Sequence, residues 1–138
     1  TNDIAVLVDV IEDIGMQDSG SRYVLRAFEP LLAHPDVRVR EAVLDAVFGF
    51  DIVSPLLPAL AERLNDPNED IRDDAMDVLA EVEKREMMDV LILNMTNRYE
   101  DVRENCDFYL AFWTDEEFTN AYDWMAWWSS NRATFIFE

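Results

Sequence analysis

Carboxylates are the side chains through which this sequence could do most chemistry, because 30 Asp and Glu residues stand against 11 Lys and Arg. The densest group falls within residues 66–83 and recurs at spacings of three and four: Asp70, Asp73, Asp74, Asp77 and Glu81. On an α-helix this spacing places all five on one surface, where like charges four residues apart destabilise the helix by about 0.2–0.5 kcal/mol per pair. Such a stripe is either a solvated helix face or a surface that attracts cationic groups.

Metal binding is the first chemistry to test against this stretch. Asp66, Asn68 and Asp70 match the first half of a calcium-binding EF-hand loop, but Ile71 and Asp77 occupy the positions that require Gly and Glu. The sequence also holds one His and one Cys, which are too few soft ligands for zinc. We therefore expect no metal site and no cofactor.

Catalysis would need a nucleophile or an acid–base pair. Cys106 and His34 are the single residues of their types, and we expect Cys106 to be buried at a core position of the repeat described below while His34 lies in a turn. The glycines at 15, 20 and 49 form no phosphate-binding loop. A carboxylate pair remains the enzymatic alternative, but nothing predicts the desolvation that would separate their pKa values. We therefore expect a protein that is not an enzyme.

The acidic stretch belongs to a unit that recurs along the chain. Three Val/Ile-Arg dipeptides align at spacings of 32 and 31 residues: Val39-Arg40, Ile71-Arg72 and Val102-Arg103. Each follows an aligned turn: His34-Pro35-Asp36, Asp66-Pro67-Asn68 and Asn97-Arg98-Tyr99. A fixed period of roughly 20–50 residues is typical of stacked repeats, each a helical hairpin that cannot bury its apolar face alone.

The apolar spacing predicts an all-α fold in a single domain over residues 1–138. An N-terminal helix capped by Gly15 comes first, before three hairpins and a C-terminal cap, at about 21–50, 52–83, 85–113 and 114–138. The pattern from Thr114 to Glu117 is typical of a capping box, so an aromatic-rich last helix should start there and run to about Ser130.

The paired helices, and the Val/Ile-Arg dipeptides followed by small residues, resemble HEAT repeats over about residues 21–113. The turn acid usual in that family is present as Asp66, whereas His34 and Asn97 replace it in the flanking repeats. The resemblance implies an armadillo-like α-solenoid, a right-handed α-α superhelix of about three hairpins. It also implies that the Arg of each dipeptide and the turn acid tie adjacent repeats together, so three arginines should be structural: Arg40, Arg72 and Arg103.

In HEAT arrays the second helices line a concave surface that commonly binds partners, and here these helices should be 36–48, 69–83 and 100–112. Aligned exposed positions on them carry acids in columns. The candidate partner-binding residues are these side chains with two aromatic ones: Glu41, Asp45, Asp70, Asp73, Asp74, Asp77, Asp101, Glu104, Phe108 and Trp127. Trp127 is included because its helical position turns it aside from Trp124 and Trp128, and Trp is favoured at binding hot spots.

The formal net charge of −19 limits the classes of partner that the protein can bind, because it attracts cationic surfaces and repels nucleic acid and anionic lipid. No apolar run approaches the roughly 20 residues of a membrane span. A single cysteine allows no disulfide within the chain, which fits a reducing compartment. We expect a cytoplasmic protein, monomeric when free, that binds neither nucleic acid nor membrane.

These observations lead to the hypothesis of a binding module that captures a basic protein. Its most concrete form is an inhibitor that neutralises a cationic nuclease toxin, because the chain resembles acidic bacterial immunity proteins in charge and size. The alternative is a HEAT-like adaptor or a subunit of the phycobilin lyase type, whose groove would receive a cofactor-bearing partner.

Overall fold

The computed structural model describes residues 2–138, with side chains from Asp3 onward, and every regular element in this range is helical. The α-helices are α1 (Asn2–Gln17), α2 (Arg22–Leu31), α3 (Val37–Phe48), α4 (Leu57–Glu62), α5 (Glu69–Leu79), α6 (Lys84–Leu93), α7 (Glu100–Thr114) and α8 (Ala121–Asn131). Short 3₁₀ turns occupy Ser54–Leu56, Arg63–Asn65 and Asn94–Thr96. The all-α class predicted from the apolar spacing is confirmed. None of the helices in the described part of the chain is long and apolar enough to cross a membrane.

Two compact units divide the chain, an N-terminal unit of Thr1–Leu79 and a C-terminal unit of Ala80–Glu138. The first contains α1 to α5, and the second contains α6 to α8. The division falls directly after α5, inside the segment 52–83 that the sequence assigns to the middle hairpin. A single domain over 1–138 therefore stays a prediction.

In the N-terminal unit, α3 packs against α1 on one side and α5 on the other. The apolar positions of α3 and α5 that the sequence places inward are fully or almost fully buried: Val39, Val43, Leu44, Val47, Ile71, Ala75, Val78 and Leu79. Their recurrence at three and four residues turns one face of each helix inward. The charged positions between them consequently face outward on neighbouring helices.

The sequence led us to expect that Gly15 ends the first helix. Instead, α1 continues to Gln17. A Cβ atom built on Gly15 would lie 2.7 Å from the Cβ of Ala46. Because Gly15 has no side chain, α1 and α3 can approach each other closely at this point. This close approach explains a glycine inside a helix.

The middle hairpin begins with a 3₁₀ turn. Ser54 is the first residue of this turn, and its N-cap, Val53, makes no side-chain capping hydrogen bond. The α-helical part starts only at Leu57, with Pro58 at its beginning. Pro58 has no N–H to donate to the carbonyl oxygen of Ser54, which instead accepts from the N–H of Leu57 three residues later, so the first turn is 3₁₀.

The core of the C-terminal unit lies where α6 packs against α7 and α8. Its side chains are apolar and almost fully buried: Met87, Met88, Leu91, Val102, Cys106, Leu110, Trp124 and Trp128. Cys106 is buried as predicted from its alignment with Ala75.

The capping box predicted at Thr114 does not form. Thr114 is the last residue of α7, where its hydroxyl donates to the carbonyl oxygen of Leu110 at 2.7 Å, and Asp115 ends the helix with φ of 58°. The last helix starts later, at Ala121, where the side chain of Asn120 accepts from the N–H of Asp123. Thr114 bonds back to its own helix, and Asn120 is an equally favourable N-cap type.

Residues 133–138, whose conformation the sequence left open, fold back on the C-terminal unit without regular structure. Arg85 donates to the backbone carbonyl oxygens of Arg132 and Phe135. The ring of Phe135 lies 5.2 Å from that of Trp127, centroid to centroid, and Phe137 lies 6.0 Å from Trp128.

Candidate acidic binding surface

The three arginines of the repeated dipeptide hold the beginnings of their helices by the same hydrogen bond. Each donates from Nη1 to the carbonyl oxygen of the turn residue six positions earlier. The donor–acceptor distances are 2.9 Å for Arg40 to His34, 2.9 Å for Arg72 to Asp66 and 2.7 Å for Arg103 to Asn97. These bonds join each arginine to the turn before its own helix, whereas the contact between repeats that the HEAT resemblance implies is seen at Arg40, which pairs with Asp66.

The turn residues themselves are also equivalent. In each turn, a side-chain atom accepts a hydrogen bond from the backbone N–H two residues later. The distances are 3.0 Å for Nδ1 of His34, 3.0 Å for Oδ1 of Asp66 and 2.9 Å for Oδ1 of Asn97. The imidazole of His34 is thus occupied in shaping a turn.

Asp66 adds an ion pair to this pattern. Its carboxylate is fully buried and lies between Arg40 and Arg63, with Nε of Arg40 at 2.9 Å and Nη1 of Arg63 at 2.8 Å from Oδ2. Since Arg40 belongs to α3 and Asp66 precedes α5, the pair fixes these helices relative to each other. Asp66 is also the residue that would be the first ligand of a calcium-binding loop, and its carboxylate is instead paired with arginine. In residues 3–138, no group of three or more His, Cys, Asp or Glu could hold a metal ion.

The alignment of α3 with α5 brings carboxylates from both helices around one groove of about 170 Å³. It is lined by two apolar and three acidic side chains: Leu44, Phe48, Asp45, Asp74 and Asp77. Glu41 and Asp70 are close enough to act electrostatically on Asp74. We call Glu41, Asp45, Asp70, Asp74 and Asp77 the acidic surface. Asp73 is exposed on the same helix, but it does not line this groove.

The pKa of Asp74 shows how closely these groups are held. Partial burial, the largest cause, and repulsion by neighbouring carboxylates raise the pKa of Asp74 to about 6. Four carboxylates contribute, in decreasing order: Asp45, Glu41, Asp77 and Asp70. Burial also raises the pKa of Asp45. Negative charge is therefore concentrated here at an electrostatic cost, which a bound cation would reduce.

Two further acids on α1 extend this region, and the sequence analysis missed them. Asp9 and Glu12 line a second groove, of about 310 Å³, together with Glu41 and Asp45 of α3. Arg38 stands at its edge, where its Nη2 lies 2.8 Å from Oδ2 of Asp36. The alignment of repeats could not indicate Asp9 and Glu12, because α1 precedes the aligned units. Their position opposite the apolar residues of an amphipathic helix was the available signal.

The remaining predicted residues belong to the C-terminal unit. Asp101, Glu104 and Phe108 all lie on α7. Glu104 lines an open pocket of about 700 Å³ that also includes Asp107 and Arg103. Phe108 is exposed to solvent. These residues supply charge and apolar surface on one helix of that unit.

Trp127 is half-buried, which corrects the prediction of an exposed anchor. Four rings surround it at centroid distances of 5.2–6.3 Å: Phe118, Trp124, Trp128 and Phe135. Helical spacing predicted an outward position for Trp127. The tail then brings Phe135 against it, and the indole becomes part of an aromatic cluster.

Cys106 has the properties of a core residue rather than a nucleophile. Burial, and secondly repulsion by Asp107, raises the pKa of its thiol to about 12. The thiolate, which is the reactive form, is therefore disfavoured at neutral pH.

Comparisons with protein-family models, with curated proteins and with solved structures give no match to this chain. The function must therefore be inferred from the acidic surface and from the exposed side chains of α7.

Proposed function

We propose that this protein is a binding module that captures a basic protein partner on its acidic surface, and that it is not an enzyme. The observation that carries the proposal is the convergence of five carboxylates from α3 and α5, where partial burial first, and then repulsion by the other four, raise the pKa of Asp74 to about 6. Helix faces that only need to be solvated gain nothing from such crowding. A cationic side chain in the groove would relieve both the repulsion and the incomplete hydration.

The arrangement favours a macromolecular partner over a small ligand. The groove between α3 and α5 measures about 170 Å³, below the roughly 300–1,000 Å³ of small-molecule sites, and the adjoining groove of about 310 Å³ lies at the lower end of that range. The carboxylates continue onto α1 through Asp9 and Glu12, so the charge is spread over three neighbouring helices. An extended basic surface would match this distribution. The net charge of −19 would also speed its approach through long-range attraction.

The most concrete form of the proposal is an immunity or inhibitor protein for a cationic nuclease toxin. A nuclease binds phosphates through Lys and Arg side chains, so its substrate surface is basic. A row of carboxylates held on a helical scaffold is complementary to such a surface and would block access of the nucleic acid. Charge, size and the fixed spacing of the acids support this form.

We further propose that the helical hairpins form a HEAT-like α-solenoid. Support comes from the hydrogen bonds that recur at three equivalent turns, from Arg40, Arg72 and Arg103 to the turn carbonyl oxygens. Support also comes from the buried pair of Arg40 and Asp66, which joins neighbouring hairpins as the family resemblance implies.

The experiment is affinity capture from the native host at low ionic strength, with elution by increasing salt and reconstitution from purified components. The wild type and the variant Asp45→Asn with Asp77→Asn would be compared. The matched control is Glu29→Gln with Glu62→Gln, which removes the same charge from exposed positions on α2 and α4. We expect a basic protein to bind the wild type and the control, and to bind the Asp45/Asp77 variant at least about tenfold more slowly. Equal association rates for all three proteins would contradict the proposal.

A further inference from the structure

A pair of aromatic rings stands exposed on α7, away from the core of the C-terminal unit. Phe108 and Phe112 are 59% and 73% exposed. Their ring centroids lie 5.7 Å apart and the ring planes are inclined by only 13°. They are four positions apart and so share one helix surface, whereas Cys106 and Leu110 of the same helix are fully buried. The fold therefore does not need these rings for its core.

Carboxylates bracket this aromatic pair along the chain. Glu104 lies one helical turn before Phe108, and Asp107 is adjacent to it. Asp115 and Glu116 follow directly after the end of α7, and all four acids are exposed. An apolar surface of parallel rings is thus presented between negative charges.

We propose that the Phe108–Phe112 pair is a docking site for arginine side chains of a basic partner protein. The inference rests on the proposed function, since it takes a cationic protein as the partner and identifies the residue type that this helix would select. A guanidinium group would lie on an exposed ring face and pair with a neighbouring carboxylate.

Arginine fits this surface better than lysine does. Its planar, weakly hydrated guanidinium can stack on an aromatic ring and still donate hydrogen bonds to a carboxylate, whereas a lysine ammonium is a strongly hydrated point charge. The chain already uses this contact in the same unit, where the guanidinium carbon of Arg85 lies 5.4 Å from the ring centroid of Phe137. Arg98 lies in the same way 4.9 Å from the ring centroid of Tyr99.

Charge complementarity disfavours the other usual occupants of an exposed aromatic surface. A second copy of the chain would bring two net charges of −19 together. Anionic lipid and single-stranded nucleic acid would meet Glu104, Asp107, Asp115 and Glu116, although nucleobases can stack on aromatic rings. A partner that presents arginine satisfies both the rings and the acids.

The test compares nona-arginine with nona-lysine, two peptides of equal charge, by calorimetric titration at about 50 and about 150 mM salt. We expect the wild type to bind nona-arginine about three- to tenfold more tightly. Phe108→Ala with Phe112→Ala, and equally Phe108→Leu with Phe112→Leu, should reduce this preference to about one while affinity for nona-lysine is kept. The control is Tyr122→Ala, which removes a 78% exposed ring from α8 of the same unit and should leave the preference unchanged.

Several outcomes would overturn the inference. Equal affinity of the wild type for both peptides would do so. If the Asp45→Asn, Asp77→Asn variant then bound both more weakly by the same factor, the proposed function would stand alone. If the wild type bound neither peptide, both proposals would fail.

The variants supply further outcomes that would contradict the inference. If Phe108→Leu with Phe112→Leu kept the preference for nona-arginine, an apolar side chain would be sufficient and stacking on an aromatic ring would not be needed. A wild-type dimer in sedimentation that dissociates in the Ala variant would assign the rings to self-association, and oligonucleotide binding lost in that variant would assign them to nucleobases.

Discussion

Arg40 and Asp66 form a buried ion pair across 26 residues of sequence, with Nε of the arginine 2.9 Å from Oδ2 of the aspartate. Within this pair, Nη2 of Arg40 donates a hydrogen bond to Oδ1 of Asp66 at 3.1 Å. The pair sets α3 against the turn that begins α5. It therefore also sets Asp45 beside Asp74, so a buried contact positions the acidic surface.

Removing the aspartate should destabilise the N-terminal unit. Asp66→Ala leaves Arg40 and Arg63 without their carboxylate, and breaking a buried ion pair from one side costs about 3–5 kcal/mol. Asp66→Asn should cost less, because the amide oxygen can still accept from the N–H of Asn68. Urea unfolding followed by circular dichroism would measure both. The exposed substitution Asp51→Ala is the control, and an unchanged midpoint for Asp66→Ala would show that the pair contributes nothing.

The raised pKa of Asp74 predicts a pH dependence of stability. The pKa of Asp74 is about 6 in the folded state, whereas in the unfolded state it has its ordinary value of 3.8. Between these values the folded state holds more protons, so the contribution of Asp74 to stability falls as pH rises from about 4 to about 6 and is least favourable above that. Asp74→Asn should therefore be more stable than the wild type at pH 7, and this advantage should disappear near pH 4.

Thermal unfolding across this pH range would check the expectation, with Glu62→Gln as an exposed control on α4. Direct titration of the Asp74 carboxyl by NMR would give the pKa itself. A constant stability difference between Asp74→Asn and the wild type from pH 4 to 7 would contradict the crowding of carboxylates around Asp74.

Cys106 should tolerate no polar replacement. Cys106→Ser places a hydroxyl in a fully buried apolar site, at a cost of about 1–3 kcal/mol if the hydroxyl finds no partner. The native thiol should also react slowly with a disulfide reagent at pH 8, because it is buried and its pKa is raised to about 12. Chemical unfolding and the rate of thiol labelling would measure the two effects. Rapid labelling of the native protein would place Cys106 at the surface.

Gly15 should be intolerant of a side chain although it lies within a helix. Alanine would raise helix propensity by about 1 kcal/mol, but its Cβ would lie 2.7 Å from that of Ala46. Overpacking typically costs about 1–3 kcal/mol, so we expect Gly15→Ala to destabilise on balance. Ala46→Gly should recover part of the loss in a double-mutant cycle, and additive effects would show that the two residues do not touch.

The sequence was informative wherever its signal was local and periodic. The inward positions of α3 and α5 and the burial of Cys106 follow from helical spacing, and the turn positions follow from the alignment of repeats. Pairing between α3 and the turn before α5 was also accessible, because a family resemblance suggested what Arg40 does.

Other features depended on contacts that sequence spacing does not encode. Thr114 and Asn120 are both acceptable helix-capping types, and only the length of α7 decides between them. Gly15 is ambiguous until Ala46 is known to face it. Trp127 becomes half-buried because residues 133–138 return to α8, which no periodic pattern in that short tail indicates.

The equivalence of His34, Asp66 and Asn97 has a consequence for how such repeats diverge. What the turn requires at this position is a lone pair aimed at the N–H two residues ahead, and an imidazole, a carboxylate and an amide all provide one. These three residue types differ in charge and shape, but each makes the same hydrogen bond to the backbone of the turn. The position can therefore hold a neutral or a charged residue and keep the turn. At Asp66 the carboxylate also pairs with Arg40 of the neighbouring hairpin.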